Sequence, residues 1–266
     1  MTDRKSSSEQ LNQKIVLITG ASSGIGAATA RVCAAAGAKL VICARRLEPL
    51  KTLAAELANE FDTKTHYFQL DVRDKQAVKQ ALDSLPQEFS RIDCLINNAG
   101  LARGAVTYDK YPEEAFEEMV DTNIKGLLYV THAVLPGMVA RNSGYIVNLG
   151  SIAGREAYRL GSVYCGTKAF VKMFTEGLIS DLVETKLRVT CIDPGRVETE
   201  FSLVRYSGDK QRADQVYKNS TPLKAEDIAE LILFTITRPD HVNISNLLVM
   251  PTDQASVALD ARNVKA

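Results

Sequence analysis

The chain is expected to fold as one α/β domain, a Rossmann-like doubly wound parallel sheet of about seven strands with helices on both faces. Three observations predict this. Short β-branched runs alternate strictly with amphipathic helical runs between Lys14 and Met250. The strand runs are apolar at consecutive positions. No linker, repeat or low-complexity tract divides the chain. Strands apolar on both faces need cover on both, which crossover helices supply, and right-handed crossovers wind the sheet two ways.

The elements follow in order. Lys14–Thr19 reads as a buried strand, and 24–36 as a helix ended by Gly37. A second strand spans 39–43, a helix 47–59 and a third strand 65–70. Asp74 caps a helix that runs to about Leu85 and stops at Pro86. A fourth strand covers 93–97. A long helix, 113–140, is expected to bend near Pro136. A fifth strand (144–149), a long helix (163–184), a sixth strand (187–192), a helix (224–235) and a last strand (246–250) complete the series. Residues 1–13 are polar, carry Ser6-Ser7-Ser8 and lack an apolar secretory core, so a flexible lead-in is expected there, with one catalytic domain over 14–266. The polar segment 198–222 breaks the rhythm. Insertions beyond the carboxyl ends of parallel strands cover ligands, so a substrate cover is expected there.

A chain of 266 residues buries enough surface to need neither metal nor disulfide. Thirty-two basic residues balance thirty-two acidic ones, which argues against nucleic acid or an anionic membrane as the main partner. No apolar run is long enough to span a bilayer. Five cysteines (33, 43, 94, 165 and 191) without a Cys-x-x-Cys fit a reducing compartment, here the cytoplasm. His66, His132 and His241 are scattered, and no cluster has metal-ligand spacing.

The turn Thr19-Gly20-Ala21-Ser22-Ser23-Gly24-Ile25-Gly26 joins the first strand to the first helix. Glycines at 20, 24 and 26 let backbone N–H groups approach a pyrophosphate, so this loop, Ser22, Ser23 and Ile25 included, is expected to hold a dinucleotide. The second strand ends in Ala44-Arg45-Arg46 with no acid to take a ribose 2′-hydroxyl. Two guanidiniums match a 2′-phosphate instead, which points to NADP. Asp71-Val72 ends the third strand, where the carboxylate either meets an adenine amino group or caps a turn. Asn97-Asn98-Ala99-Gly100 closes the fourth strand, where binding and structural roles coexist.

Tyr164 and Lys168 share one helix face, and Ser151 follows the fifth strand at the ligand end of the sheet. A second Tyr-x-x-x-Lys, Tyr206 to Lys210, holds a Ser-Gly-Asp turn cluster and is rejected. The first set suits hydride transfer at a carbonyl or alcohol. Tyr164 exchanges the proton, Ser151 orients the oxygen, and Lys168 holds the nicotinamide ribose and lowers the phenol pKa. Asn123 either holds a water leading from Lys168 or is a packed amide.

The glycine loop, Asn97-Asn98-Ala99-Gly100, Asn123, Ser151, Tyr164-x-x-x-Lys168 and Pro194-Gly195 resemble, in order, the short-chain dehydrogenase/reductase pattern. The resemblance implies a catalytic tetrad of Asn123, Ser151, Tyr164 and Lys168, a nicotinamide-side loop of Pro194, Gly195, Val197 and Thr199, and a homotetramer. Leu85–Phe89, Ser143–Arg155, Val197–Tyr206 and Thr252–Ser256 further resemble the NADP-dependent 3-hydroxy acid dehydrogenases, which act on serine and allo-threonine. Arg159 and Arg196 depart from that subgroup. The substrate carboxylate needs a cation, and Arg155, Arg159, Arg196 and Arg205 are the candidates. Beside Ser151 and Tyr164, Arg155 is the substrate-binding residue expected. The alternatives are a broad carbonyl or 3-oxoacyl reductase and a non-catalytic NADP-binding protein.

Overall fold

A computed structural model describes residues 10–261. The first half of the chain is built from β1 (Ile15–Thr19), α1 (Gly24–Ala35), β2 (Lys39–Ala44), α2 (Leu47–Phe61), β3 (Thr65–Gln69), α3 (Lys75–Asp83), β4 (Cys94–Asn97), α4 (Glu113–Val120) and α5 (Leu127–Ala140). The second half holds β5 (Tyr145–Leu149), α6 (Ser162–Asp181), β6 (Arg188–Pro194), β7 (Val197–Glu198), α7 (Phe201–Arg205), α8 (Lys210–Tyr217), β8 (Leu223–Lys224), α9 (Ala225–Ile236) and β9 (Asn246–Val249). Seven strands form one sheet in the order β3-β2-β1-β4-β5-β6-β9, and each pairing is parallel. Both β2 and β4 pair with β1, so the winding reverses there. The crevice at such a reversal is where doubly wound sheets take ligands.

Side chains of a strand point alternately to its two faces. Val16 and Ile18 of β1 join Leu40, Ile42 and Ile96 under α1, α2 and α9. Ile15 and Leu17 join Val41, Leu95 and Ile146 under α3, α5 and α6. Both layers are buried, which is why the central strands read as continuous apolar runs. The outer strands β3 and β9 are only partly covered. A buried polar chain ties the second layer beneath the crevice: Asn97 Nδ2 donates to Thr131 Oγ1 and to Asn148 Oδ1, each at 2.9 Å, and Asn148 Nδ2 donates to Thr175 Oγ1 at 2.9 Å. Such a network fixes α5 and α6 against β4 and β5.

Two expectations change, over the lead-in and the bend, and the rejection of Tyr206 and Lys210 holds. The lead-in foreseen over 1–13 enters the described residues only at 10–13, and there Leu11 is buried, its N–H bonded to Ala36 O, because an apolar residue just ahead of β1 can close the bottom of α1. The long helix does not break at Pro136, which lies within α5. It is interrupted instead by a π-helical turn, Asp121–Gly126, where a Cβ on Gly126 would come within 2.6 Å of Val72 Cγ2. The polar segment 198–222 contains two short helices and pairs β7 with β8. Tyr206 and Lys210 flank a turn with Ser207 and Gly208 at positive φ, so they share no helix face.

Candidate active site

A cleft of about 400 Å³ runs along the carboxyl ends of β1, β2, β4, β5 and β6. At its centre Gly20 and Gly24 adopt φ of 68° and 53°, a region that side chains disfavour. A Cβ on Gly26 would lie 2.5 Å from Gly20 O, so the loop can fold tightly only without one. The Asn98 amide staples the turn, donating to Thr19 O at 2.9 Å and Gly20 O at 3.1 Å. Ser23 is the N-cap of α1 but its side chain makes no capping hydrogen bond, and the first turn carries no acid. The free N–H groups of this helix start therefore lie open to an anion. That is the cradle a pyrophosphate requires, and the residues fit a dinucleotide. Every residue expected to bind the cofactor lines the cleft except Gly26, whose part is the close packing just described.

Arg45 and Arg46 stand at one end. Arg46 donates to Ser22 Oγ at 3.3 Å, Ser23 Oγ at 3.0 Å and Glu200 Oε2 at 2.8 Å. Arg45 donates to Glu118 Oε1 at 3.1 Å. Asp71 lines the cleft but accepts from Arg73 N at 3.0 Å and pairs with its guanidinium, so the turn-capping alternative is realised. Its carboxyl is held below the usual range by Arg73, against the upward push of burial.

Ser151, Tyr164 and Lys168 meet at the other end. Ser151 sits on the turn after β5, its N–H bonded to Asp193 Oδ1 at 3.1 Å and its Oγ accepting from Ala153 N at 3.1 Å, and its hydroxyl faces the Tyr164 phenol. Lys168 is buried one helical turn beyond Tyr164 and donates to Leu149 O at 2.7 Å. Burial lowers its amine to about 8, opposed by neighbouring Cys191 and Asp193. The phenol departs from expectation. Burial pushes it upward, while the Ser151 hydroxyl and the Arg205 charge pull it down. Lys168 Nζ lies 5.9 Å from the ring centroid, and its bond goes to backbone. Asn123 lies on the π turn with its amide spent: Oδ1 accepts from Leu101 N at 2.9 Å, and Nδ2 donates to Leu101 O at 2.8 Å and Thr167 Oγ1 at 3.0 Å. A Cβ on Gly100 would fall 3.3 Å from Asn123 Oδ1 and 3.6 Å from Lys168 Nζ, so glycine keeps the space between those two groups clear.

A model of the short chain dehydrogenase family matches residues 14–209, which include this whole constellation. The chain belongs to that family. Among its curated relatives, the NADP-dependent 3-hydroxy acid dehydrogenase of Schizosaccharomyces pombe is 47% identical over 249 residues, covering 92% of this chain and 95% of that protein. Sulfoacetaldehyde reductase 2 of Chromohalobacter salexigens is 50% identical over 242 residues, covering 91% and 95%. A solved structure described as the closed form of serine dehydrogenase complexed with NADP+ superposes with a TM-score of 0.88 at 46% identity, covering 93% of this chain and 99% of that one.

Within this short chain dehydrogenase, the arginine foreseen as the substrate anchor is committed elsewhere. Arg155 Nε donates to Asp193 Oδ2 at 2.8 Å, and Arg155 does not line the cleft. Asp193 is fully buried and also accepts from Asn246 Nδ2 at 2.9 Å. A buried carboxylate without its cation is costly, so the nearest guanidinium goes to it. Arg196 pairs with Asp260. Like Arg155, neither Arg159 nor Arg205 lines the cleft; Arg205 donates to Gly104 O at 3.0 Å and Tyr158 Oη at 2.8 Å, and its charge pulls the Tyr164 phenol down. Sequence reasoning missed Asp193, Glu118 and Glu200. For Asp193 the signal was present, an acid inside the apolar strand Val189–Pro194. For the two glutamates there was none, since each stands in an ordinary polar stretch.

Proposed function

We propose that the chain is an NADP-dependent oxidoreductase that moves a hydride between NADP(H) and the C3 hydroxyl or keto group of small 3-hydroxy acids of the serine, allo-threonine and 3-hydroxybutyrate type. The observation that carries this is one cleft with two arginines at one end and the Ser151–Tyr164 hydroxyl pair beside Lys168 at the other. The names of the relatives support the cofactor and substrate class. Bound NADP supplies or accepts the hydride at its nicotinamide. Tyr164 gives the carbonyl oxygen its proton in reduction and takes it back in oxidation. Ser151 donates a hydrogen bond to the same oxygen and stabilises its developing charge. Lys168 presents the only buried ammonium in the lining and orients the nicotinamide ribose. Pro194, Gly195, Val197 and Thr199 flank the nicotinamide, Asp71 and Val72 flank the adenine, and Asn123 fixes Leu101 and keeps the Gly100 gap open beside Lys168. Segment 198–222 covers the substrate, and Arg205 on α7 holds the substrate's anionic head. The intact hydroxyl pair favours catalysis over a purely regulatory NADP-binding role.

A sulfonate offers the same anionic head as a carboxylate, and the 50% identical sulfoacetaldehyde reductase favours that substrate as a second reading. For assembly and location, we infer a homotetramer in the reducing cytoplasm. Met173 on α6 is 61% exposed, and Phe234 on α9 and Leu248 on β9 are 46% and 47% exposed. The helices α6 and α9 cover opposite faces of the sheet, and a tetramer with three two-fold axes uses at least two interfaces. All five cysteines are free and buried, and no helix is long and apolar enough to cross a membrane among the described residues.

The test is a spectrophotometric panel of serine, the threonine isomers, 3-hydroxybutyrate, 3-hydroxyisobutyrate, isethionate and simple alcohols, each with NADP+ and NAD+. The expected result is NADP+ reduction by 3-hydroxy acids with kcat/KM at least about tenfold above uncharged alcohols. A preference for isethionate installs the second reading, and turnover of alcohols alone overturns both. Tyr164→Phe should lower turnover about 10²- to 10⁴-fold with NADPH binding intact; near-normal turnover would remove Tyr164 as the acid.

A further inference from the structure

Each arginine proposed for the 2′-phosphate is already paired with a carboxylate, and both carboxylates lead to α7. Glu118, its side chain 17% exposed, is gripped by Arg103 through both oxygens at 2.5 and 3.1 Å, with Arg73 3.7 Å away. Arg103 also donates to Val204 O at 2.7 Å, near the end of α7. Glu118 is thus anchored, and Arg45 is only one of its partners. Glu200 differs. It stands at the start of α7, its side chain is 50% exposed, and it pairs with Arg46 at 2.8 Å. Arg46 offers one Nη2 to Ser22, Ser23 and Glu200 together.

A phosphate monoester carries nearly two negative charges at neutral pH and three acceptor oxygens. It outcompetes a single half-exposed carboxylate for a guanidinium and repels that carboxylate as it arrives. A ribose 2′-hydroxyl does neither. Resting on the NADP reading above, we infer that Glu200 is a specificity-determining residue: it holds Arg46 until a 2′-phosphate takes its place, and so ties cofactor identity to the position of α7. The tie matters because α7 carries Phe201 and Val204 of the cleft lining and Arg205, the proposed substrate anchor. An NAD-type ligand leaves the pair closed.

Glu200→Gln tests this with little risk to folding, since the Glu200 side chain does not cap α7, and Thr199 Oγ1 accepts from Phe201 N at 3.2 Å instead. The probes are 2′,5′-ADP and 5′-AMP, titrated calorimetrically into the full-length enzyme. The expected result is that Glu200→Gln binds 2′,5′-ADP about two- to fivefold more tightly and AMP nearly unchanged, and that the gain vanishes when Arg46→Gln is added. Equal tightening of both ligands, no tightening, or a gain that survives Arg46→Gln overturns the inference. Hydrogen exchange over 201–205 should rise when 2′,5′-ADP binds the wild type and should already be high in Glu200→Gln; an unresponsive wild type overturns the link to α7. The two levels separate cleanly. Wild-type enzyme that does not prefer 2′,5′-ADP to AMP loses the NADP reading itself, whereas a normal preference untouched by Glu200→Gln removes only the role of Glu200.

Discussion

Lys168 illustrates what burial does to a single amine. Its pKa falls from 10.5 to about 8 because the ammonium is removed from water. Below pH 8 the group is charged in both folded and unfolded chains, and the folded state bears the full burial cost. Between 8 and 10.5 the unfolded chain binds more protons, so stability rises with pH across that window. Relative to Lys168→Met, the wild type should gain about 3 kcal/mol between pH 7 and pH 11 in urea denaturation. A constant difference would remove burial as the cause. The arginines divide in the same way. Arg155→Ala strands a buried carboxylate and should cost about 3 kcal/mol of stability with substrate KM little changed. Arg205→Ala should raise KM for a 3-hydroxy acid about tenfold and leave KM for an uncharged ketone alone. The reverse pattern would return the anchor to Arg155. No residue count foretold this division, because a guanidinium's partner depends on which carboxylate the fold buries beside it.

At the scale of elements, the site depends on how closely α6 approaches the turn after β5. A Cβ on Gly154 would lie 2.5 Å from Lys168 O, a backbone atom that cannot step aside. Gly154→Ala should therefore push α6 from Ser151, costing about 1–3 kcal/mol of stability and lowering turnover more than NADPH affinity. Unchanged kcat would show that the contact does not set the Ser151–Tyr164 distance. The face of α6 was readable beforehand: in the run Val163, Tyr164, Lys168, Phe170, Val171, Phe174, Leu178 and Leu182, Val163, Phe170 and Phe174 are half-buried and the rest buried. The π turn was not. One extra residue in a helical turn leaves the apolar pattern on both sides nearly intact, so Asp121–Gly126 looked like ordinary helix, and Pro136 drew the expected bend instead.

For the whole molecule, the proposed tetramer draws on apolar side chains left outside the two core layers. Sedimentation should give about four times the chain mass of 29.1 kDa. Met173→Glu should break one interface and leave dimers, because Met173 on α6 and Phe234 on α9 belong to helices that cover opposite faces of the sheet. A monomeric wild type would end the tetramer proposal. Coupling at this scale also runs through charge. Arg103 links Glu118 on α4 to Val204 on α7, and Arg46 links the glycine loop to Glu200, so both ion pairs of the cofactor arginines connect to α7.

The sequence alone determined the parallel sheet, the dinucleotide loop and the Ser151–Tyr164–Lys168 set, because those depend on local periodicity and on glycines whose neighbours are close along the chain. Only tertiary structure decided which arginine meets which carboxylate, that burial governs the Tyr164 phenol, and that α7 lies between the two ends of the cleft. Desolvation and ion pairing belong to groups brought together from distant positions, and spacing along a chain carries no record of them until the chain is folded.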